Sequence, residues 1–140
     1  MSEVRTTAAR KRERRREVEY LTIGLGGFLG ANARYLVGGL VTRLLGPAFP
    51  YGTFIINISG SFLLGALMAF ASGRASLHPH SLLFFATGFL GAYTTFSTFT
   101  YESLRLVQEG NLHLALLYVL GSTAIGLIGV FLGFRLGEAL

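Results

Sequence analysis

Thr53, Asn57 and Ser61 recur every four positions, so a helix places their polar side chains on one face, with Gly60 beside them. Asn57 stands near the middle of an apolar run, where an amide without a partner is costly. Such an Asn either binds a neighbouring helix or touches something that crosses the bilayer. A second stretch, residues 87–102, crowds Gly88, Gly91, Thr94, Thr95, Ser97 and Thr98 around Phe96 and Phe99. The two phenylalanines share a face with Glu102. A third stretch carries Tyr118, Ser122, Gly126, Gly129 and Gly133 at steps of four, four, three and four. Hydroxyl and amide groups donate hydrogen bonds, and the edge of a phenyl ring carries partial positive charge. Together they suit a small dehydrated anion, which they attract without a full charge that would trap it.

The elements that must position these groups follow from composition. The 140 residues are 51% hydrophobic and only 14% charged, with no Cys and no Trp. Residues 1–19 hold seven of the twelve basic residues and four of the seven acids; the remaining 121 residues carry five Arg and three Glu. A water-soluble fold of that size could not cover its surface with so few charges. Crossing about 30 Å of hydrocarbon takes roughly 20 apolar residues. Four runs qualify, predicting helices over about 20–42, 51–72, 81–105 and 112–136. The runs are continuous rather than alternating, which argues against a closed barrel. The expected fold is an all-α membrane protein of four transmembrane helices in one domain, residues 20–140, behind a basic, flexible tail, residues 1–19.

Helix propensity is poor over residues 91–95, from glycine entropy and adjacent β-branched residues, so the third helix is expected to break in mid-membrane. Unwinding there would free backbone carbonyls, which can ligate a cation when buried in protein. Gly129, Gly133 and Gly137 at four-residue steps, and Gly26 and Gly30, predict close helix packing without naming the partner. Arg34 lies inside the first apolar run and is read as structural, either snorkelling to the interface or pairing with a Glu.

Orientation rests on counting Lys and Arg on each side. With four spans, Arg74 and Arg135 share the side of the termini, while Arg43 and Arg105 lie opposite, which is no bias. Adding residues 1–19 makes the count nine against two and predicts cytoplasmic termini. The basic segment lacks interleaved aromatics and mixes in acids, so nucleic acid is not an expected partner. A signal peptide is disfavoured because apolar sequence resumes after Arg34. Enzymatic readings fail as well. His78, His80 and His113 lie near helix ends without further metal ligands in sequence, and no two carboxylates fall at membrane depth. Four helices are too few to enclose much of a pore while packing their own core, so an oligomer is expected.

These residues resemble the small fluoride channels of the CrcB/Fluc family over residues 25–136. The resemblance is carried by Gly26-Gly27-Phe28-Leu29-Gly30 with Arg34-Tyr35, by Pro50-Tyr51-Gly52-Thr53 with Asn57, Gly60 and Ser61, and by Thr94-Thr95-Phe96-Ser97-Thr98-Phe99 leading to Glu102. It implies an antiparallel dual-topology dimer in the bacterial or archaeal plasma (inner) membrane, formed with a second copy or with an oppositely oriented paralogue. It implies that Asn57, Phe96, Phe99, Tyr118 and Ser122 line the fluoride path. It also implies a structural Na⁺ at the dimer centre, held by the carbonyls of Gly91 and Thr94, with Arg34 and Glu102 as structural residues. Gly126 departs from the family, where a hydroxyl often continues the track. The implied activity is passive exit of cytoplasmic fluoride, which enters cells as neutral hydrogen fluoride and is trapped by dissociation. The alternative is a small antiparallel proton-coupled multidrug or cation antiporter; it needs an acid in the first helix, and residues 20–42 contain none.

Overall fold

Every secondary-structure element of the computed structural model is helical, and the structure describes residues 2–73 and 77–140, apart from the side chains of residues 2–8. Arg74, part of the charge count above, lies outside the described residues. Helix α1 spans Ser2–Leu45 and ends at Gly46, whose φ of +82° favours glycine and whose N–H donates to the Thr42 carbonyl at 3.0 Å. Helix α2, Tyr51–Ser72, starts directly after Pro50. A third helical stretch, Pro79–Gln108, is built of four pieces. These are α3 (Pro79–Leu82), a wider π-helical segment (Leu83–Leu90), α4 (Gly91–Tyr93) and α5 (Phe96–Gln108). Helix α6, Leu112–Ala139, follows a tight turn at Gly110, which also has positive φ (77°).

Three of these stretches are long and apolar enough to cross a membrane: Tyr51–Ser72, Pro79–Gln108 and Leu112–Ala139. The chain is a multi-pass membrane protein. Helix α1 differs from the sequence expectation in one respect, because it does not begin near residue 20 but runs unbroken from Ser2. Residues 8–19 are dominated by Ala, Arg, Lys and Glu, all good helix formers, so the helix started in the apolar run propagates through them.

Two glycine-lined contacts hold the helices together. The most extensive packs α6 on α2. A Cβ built on Gly133 would run into the Phe62 carbonyl, one on Gly137 into the Ala66 carbonyl, and one on Gly65 into the Val130 carbonyl. The small-residue stripe of α6 therefore has α2 as its partner, at backbone-to-backbone distance. The second contact sets α1 against the π-helical segment, with Gly26 beneath the Phe84 carbonyl and Gly30 beneath the Phe89 carbonyl. Two small buried clusters fill what remains. Ile56, Leu90 and Tyr93 pack with Val37 and Phe89; Leu106, Ala115 and Tyr118 pack with Phe49, Phe54 and Phe99. Large apolar side chains such as Leu25, Phe28, Leu120, Leu127 and Phe131 face outward, a surface suited to lipid rather than water.

Candidate functional site

The site is organised by two extended residues between α4 and α5. Thr94 (φ −82°, ψ 159°) and Thr95 (φ −150°, ψ 122°) leave the helical conformation; Thr94 N–H keeps its helical bond to the Leu90 carbonyl, and Asn57 on α2 takes up the main-chain groups of Thr95. Thr95 N–H donates to Asn57 Oδ1 at 2.9 Å, and Asn57 Nδ2 donates to the Thr95 carbonyl at 3.1 Å. The next helix is then capped locally. Thr95 Oγ1 accepts from Thr98 N–H at 3.3 Å and donates to Thr98 Oγ1 at 3.0 Å, a Thr at the N-cap of α5. Gly60, one turn beyond Asn57, makes room, since a Cβ there would collide with Thr94 Cγ2.

This arrangement redirects two N–H groups. In an uninterrupted α-helix, Thr95 N–H would bond the Gly91 carbonyl and Thr98 N–H would bond the Thr94 carbonyl. Here both donors go to side chains, so those two carbonyls are released from the helical ladder. Gly91 is exposed and Thr94 half-buried, and both line an open groove of about 280 Å³ together with Asn57, Ser61 and Phe96. Oxygen-only ligands of this kind suit a hard cation, and carbonyls of an unwound segment are the donors expected to hold one. Phe96 is 77% exposed on the rim of the groove. Asn57 has a second amide N–H beyond the one bonded to the Thr95 carbonyl, a donor available to a ligand in the groove.

Apart from Arg34, the remaining candidate residues fall into a second cluster. Glu102 stands between α2 and α6, its carboxylate accepting from Thr53 Oγ1 at 3.0 Å and from Tyr118 OH at 2.8 Å. Tyr118 is fully buried, with Phe99 against it at a ring-centroid distance of 5.0 Å and Phe49 edge-on at 5.3 Å. Phe96 and Phe99 are 6.0 Å apart and link the two clusters. Ser122, one turn after Tyr118, has a buried Oγ without a hydrogen-bond partner among the described residues. A buried hydroxyl left unpaired is a group in want of a ligand.

Arg34 stands apart from both clusters, in a separate groove on α1 with Tyr35, Gly38 and Arg43. It takes part in none of the ion pairs among the described residues, so the Glu partner considered for it is not there. Two residues that the sequence singled out, but to which the resemblance gave no role, prove central. Thr95 holds the break from both sides, and Thr53 is the second donor to Glu102. Thr95 has a sequence signal, a hydroxyl residue immediately before a helix-forming run. Thr53 shares the face of Asn57, but its partner is 49 residues away and has no local signature.

The family model described as "CrcB-like protein, Camphor Resistance (CrcB)" matches residues 21–134. The chain belongs to this family. Among its curated CrcB-family relatives, a protein of Acidobacterium capsulatum named "Fluoride-specific ion channel FluC" is 48% identical over 121 residues, which cover 86% of this chain and 97% of the relative. Proteins of the same name from Thermus thermophilus (47%, covering 86% of this chain and 96% of the relative) and Rhodopseudomonas palustris (44%, covering 86% and 98%) match as fully. The CrcB match takes in both clusters and the two extended threonines, and leaves out the basic start of α1.

Proposed function

We propose that the chain is a fluoride-selective ion channel through which cytoplasmic fluoride leaves the cell passively, lowering fluoride toxicity. The single observation that carries this is the 48% identity, over 97% of its length, to a relative named as a fluoride-specific ion channel. The site supports it chemically. Asn57, Ser61, Ser122 and the edges of Phe96 and Phe99 offer donors and partial positive charge without a formal charge, as a weakly bound, rapidly moving anion requires. With an inside-negative potential, the anion is driven outward without an energy source. Channel conduction of this kind makes and breaks no bonds in the permeant ion, so no enzymatic activity is assigned.

The groove beside the extended threonines is open on one side, and a second subunit would close it. We take the assembly to be an antiparallel dimer of four-span subunits. Its first span is the apolar part of α1, about residues 20–42, and its third is interrupted in mid-membrane at Thr94 and Thr95. The partner is either a second copy or an oppositely oriented paralogue. The released carbonyls of Gly91 and Thr94 fit a structural Na⁺ at the dimer centre, which would supply a charge that ties the two subunits together. Asn57 keeps the Gly91 carbonyl released by accepting from Thr95 N–H, the Thr95 hydroxyl does the same for the Thr94 carbonyl by accepting from Thr98 N–H, and Glu102 anchors Tyr118 beside Phe99. The plasma (inner) membrane of a bacterium is the corresponding location. A proton-coupled antiporter is less well supported, because residues 20–42 hold no acid to carry the coupling proton.

The test is efflux from proteoliposomes loaded with fluoride or with chloride, read with ion-selective electrodes. The channel assignment expects fluoride release without comparable chloride release. Similar release of both ions, or of neither, rejects it.

A further inference from the structure

The basic start of α1 is unclaimed by anything above. It lies before residue 21, outside the family match, and the relatives are covered almost end to end by only 86% of this chain. It is nevertheless no separate appendage, because α1 continues through it without a break from Ser2 to Leu45. Arg15 pairs with Glu19 at 3.1 Å, whereas Arg12, Arg14 and Arg16 are exposed and belong to none of the ion pairs among the described residues. Elsewhere the exposed pairs Arg105–Glu109 and Arg135–Glu138 neutralise charge at the ends of α5 and α6. Unbalanced positive charge is thus concentrated on one end of one helix.

A rigid helix fixes how far that charge stands from the bilayer. Tyr20 is 73% exposed where the charged and apolar parts of α1 meet, the place of an interfacial aromatic residue. At 1.5 Å per residue, Arg16 stands about 6 Å and Arg10 about 15 Å beyond Tyr20. The headgroup layer is about 5–8 Å deep on each side, and the screening length in physiological salt is about 8 Å. The whole run from Arg10 to Arg16 therefore lies within the headgroups or one screening length of them. It has no aromatic residue to stack on a base, and Glu13 interrupts it and Glu17 follows it, which favours a lipid surface over nucleic acid.

We propose that this helical extension engages the anionic phospholipid surface of the cytoplasmic leaflet and thereby fixes a single insertion orientation, with both termini inside. The proposal rests on the four-span reading above, in which the rest of the chain has balanced charge on the two sides. An antiparallel partner is then a chain inserted the other way, without this charge, rather than a second copy.

The chain has no Cys, so Ala9→Cys and Leu140→Cys provide single labelling sites in the full-length protein expressed alone. With a membrane-impermeant maleimide, both positions should react from the cytoplasmic side in about nine of ten copies or more. Equal reaction from both sides overturns the proposal. Replacing Arg10, Lys11, Arg12, Arg14, Arg15 and Arg16 together with Gln should bring labelling from the two sides within about twofold of each other. Labelling that stays one-sided removes the extension from the cause. For the lipid contact, a fluorophore on Ala9→Cys should be quenched by acrylamide about half as well in vesicles containing phosphatidylglycerol as in pure phosphatidylcholine, with the difference lost in high salt. Equal quenching in both vesicles overturns that contact. Fluoride efflux from the same vesicles reports the channel assignment separately, so the failure of one does not pass for failure of the other.

Discussion

The side-chain amide of Asn57 meets both main-chain polar groups of Thr95, accepting its N–H at 2.9 Å and donating to its carbonyl at 3.1 Å. One side chain thereby replaces the helical partner of Thr95 N–H and gives a further donor to its carbonyl, which as the N-cap carbonyl of α5 also starts that helix. An interrupted helix inside a bilayer is tolerated only where its backbone groups find such partners. Asn57 is the residue on which the opened segment depends.

Asn57→Asp tests this dependence. A carboxylate can still accept from Thr95 N–H, but it faces the Thr95 carbonyl with a second acceptor and places negative charge beside the anion path. Fluoride efflux should fall about tenfold or more, equivalent to at least about 1.4 kcal/mol in barrier height. The assembly should keep its elution position in size-exclusion chromatography. Unchanged efflux would remove Asn57 from the pathway.

Glu102 accepts from Thr53 on α2 and from Tyr118 on α6, so it couples the two helices. Removing one partner of a buried hydrogen bond costs about 1–3 kcal/mol. Thr53→Val and Tyr118→Phe should each lower thermal stability in detergent. Their double mutant should deviate from the sum of the two by about 0.5 kcal/mol or more, as groups sharing one acceptor do. Strict additivity would mean that the carboxylate does not link them.

Gly133→Ala forces a methyl against the Phe62 carbonyl, and backbone cannot step aside as a side chain can. The expected cost is about 1–3 kcal/mol, as for other overpacked contacts, read as a lower unfolding temperature. Gly60→Ala meets the methyl group of Thr94 instead, so its effect should show in fluoride flux before it shows in stability. Equal stability losses for the two variants would contradict this division.

Phe96 is 77% exposed, so Phe96→Ile should leave the folded subunit nearly as stable as before. Isoleucine has no positively polarised edge. Fluoride efflux should therefore drop by about tenfold while the melting curve stays in place. A parallel loss of both would mark Phe96 as a packing residue only.

Replacing Na⁺ by a large organic cation during purification should weaken subunit association if the carbonyls of Gly91 and Thr94 hold the ion. The readout is the dimer fraction in cross-linking. An association equally strong in both media would remove the ion from the proposal.

The sequence made the membrane body legible because long apolar runs have few alternatives, and α2 and α6 start where the turn residues before them suggest. Poor helix propensity over residues 91–95 falls where Thr94 and Thr95 leave the helical conformation. Partners were less legible. The glycine stripe of α6 indicated a close neighbour without saying that it was α2, because any smooth helix offers the same surface. Asn57 and Thr95 are 38 residues apart, and only the fold brings them together. The length of α1 was obscured by charge. A dense basic run reads as a tail, although its residues are good helix formers and adjoin a helix already nucleated. The π-helical winding of Leu83–Leu90 had no visible signature, and the helix it packs on, through Gly26 and Gly30, lies far earlier in the chain.

The groove that gathers Asn57, Gly91, Thr94 and Phe96 is open on one side. If a neighbour supplies the missing wall, conductance obeys mass action in two dimensions. Halving this chain and that neighbour together in a sparsely populated membrane would then remove more than half of the current. Cells that make little of both would gain tolerance steeply, rather than in proportion, as the abundance of the two rises together.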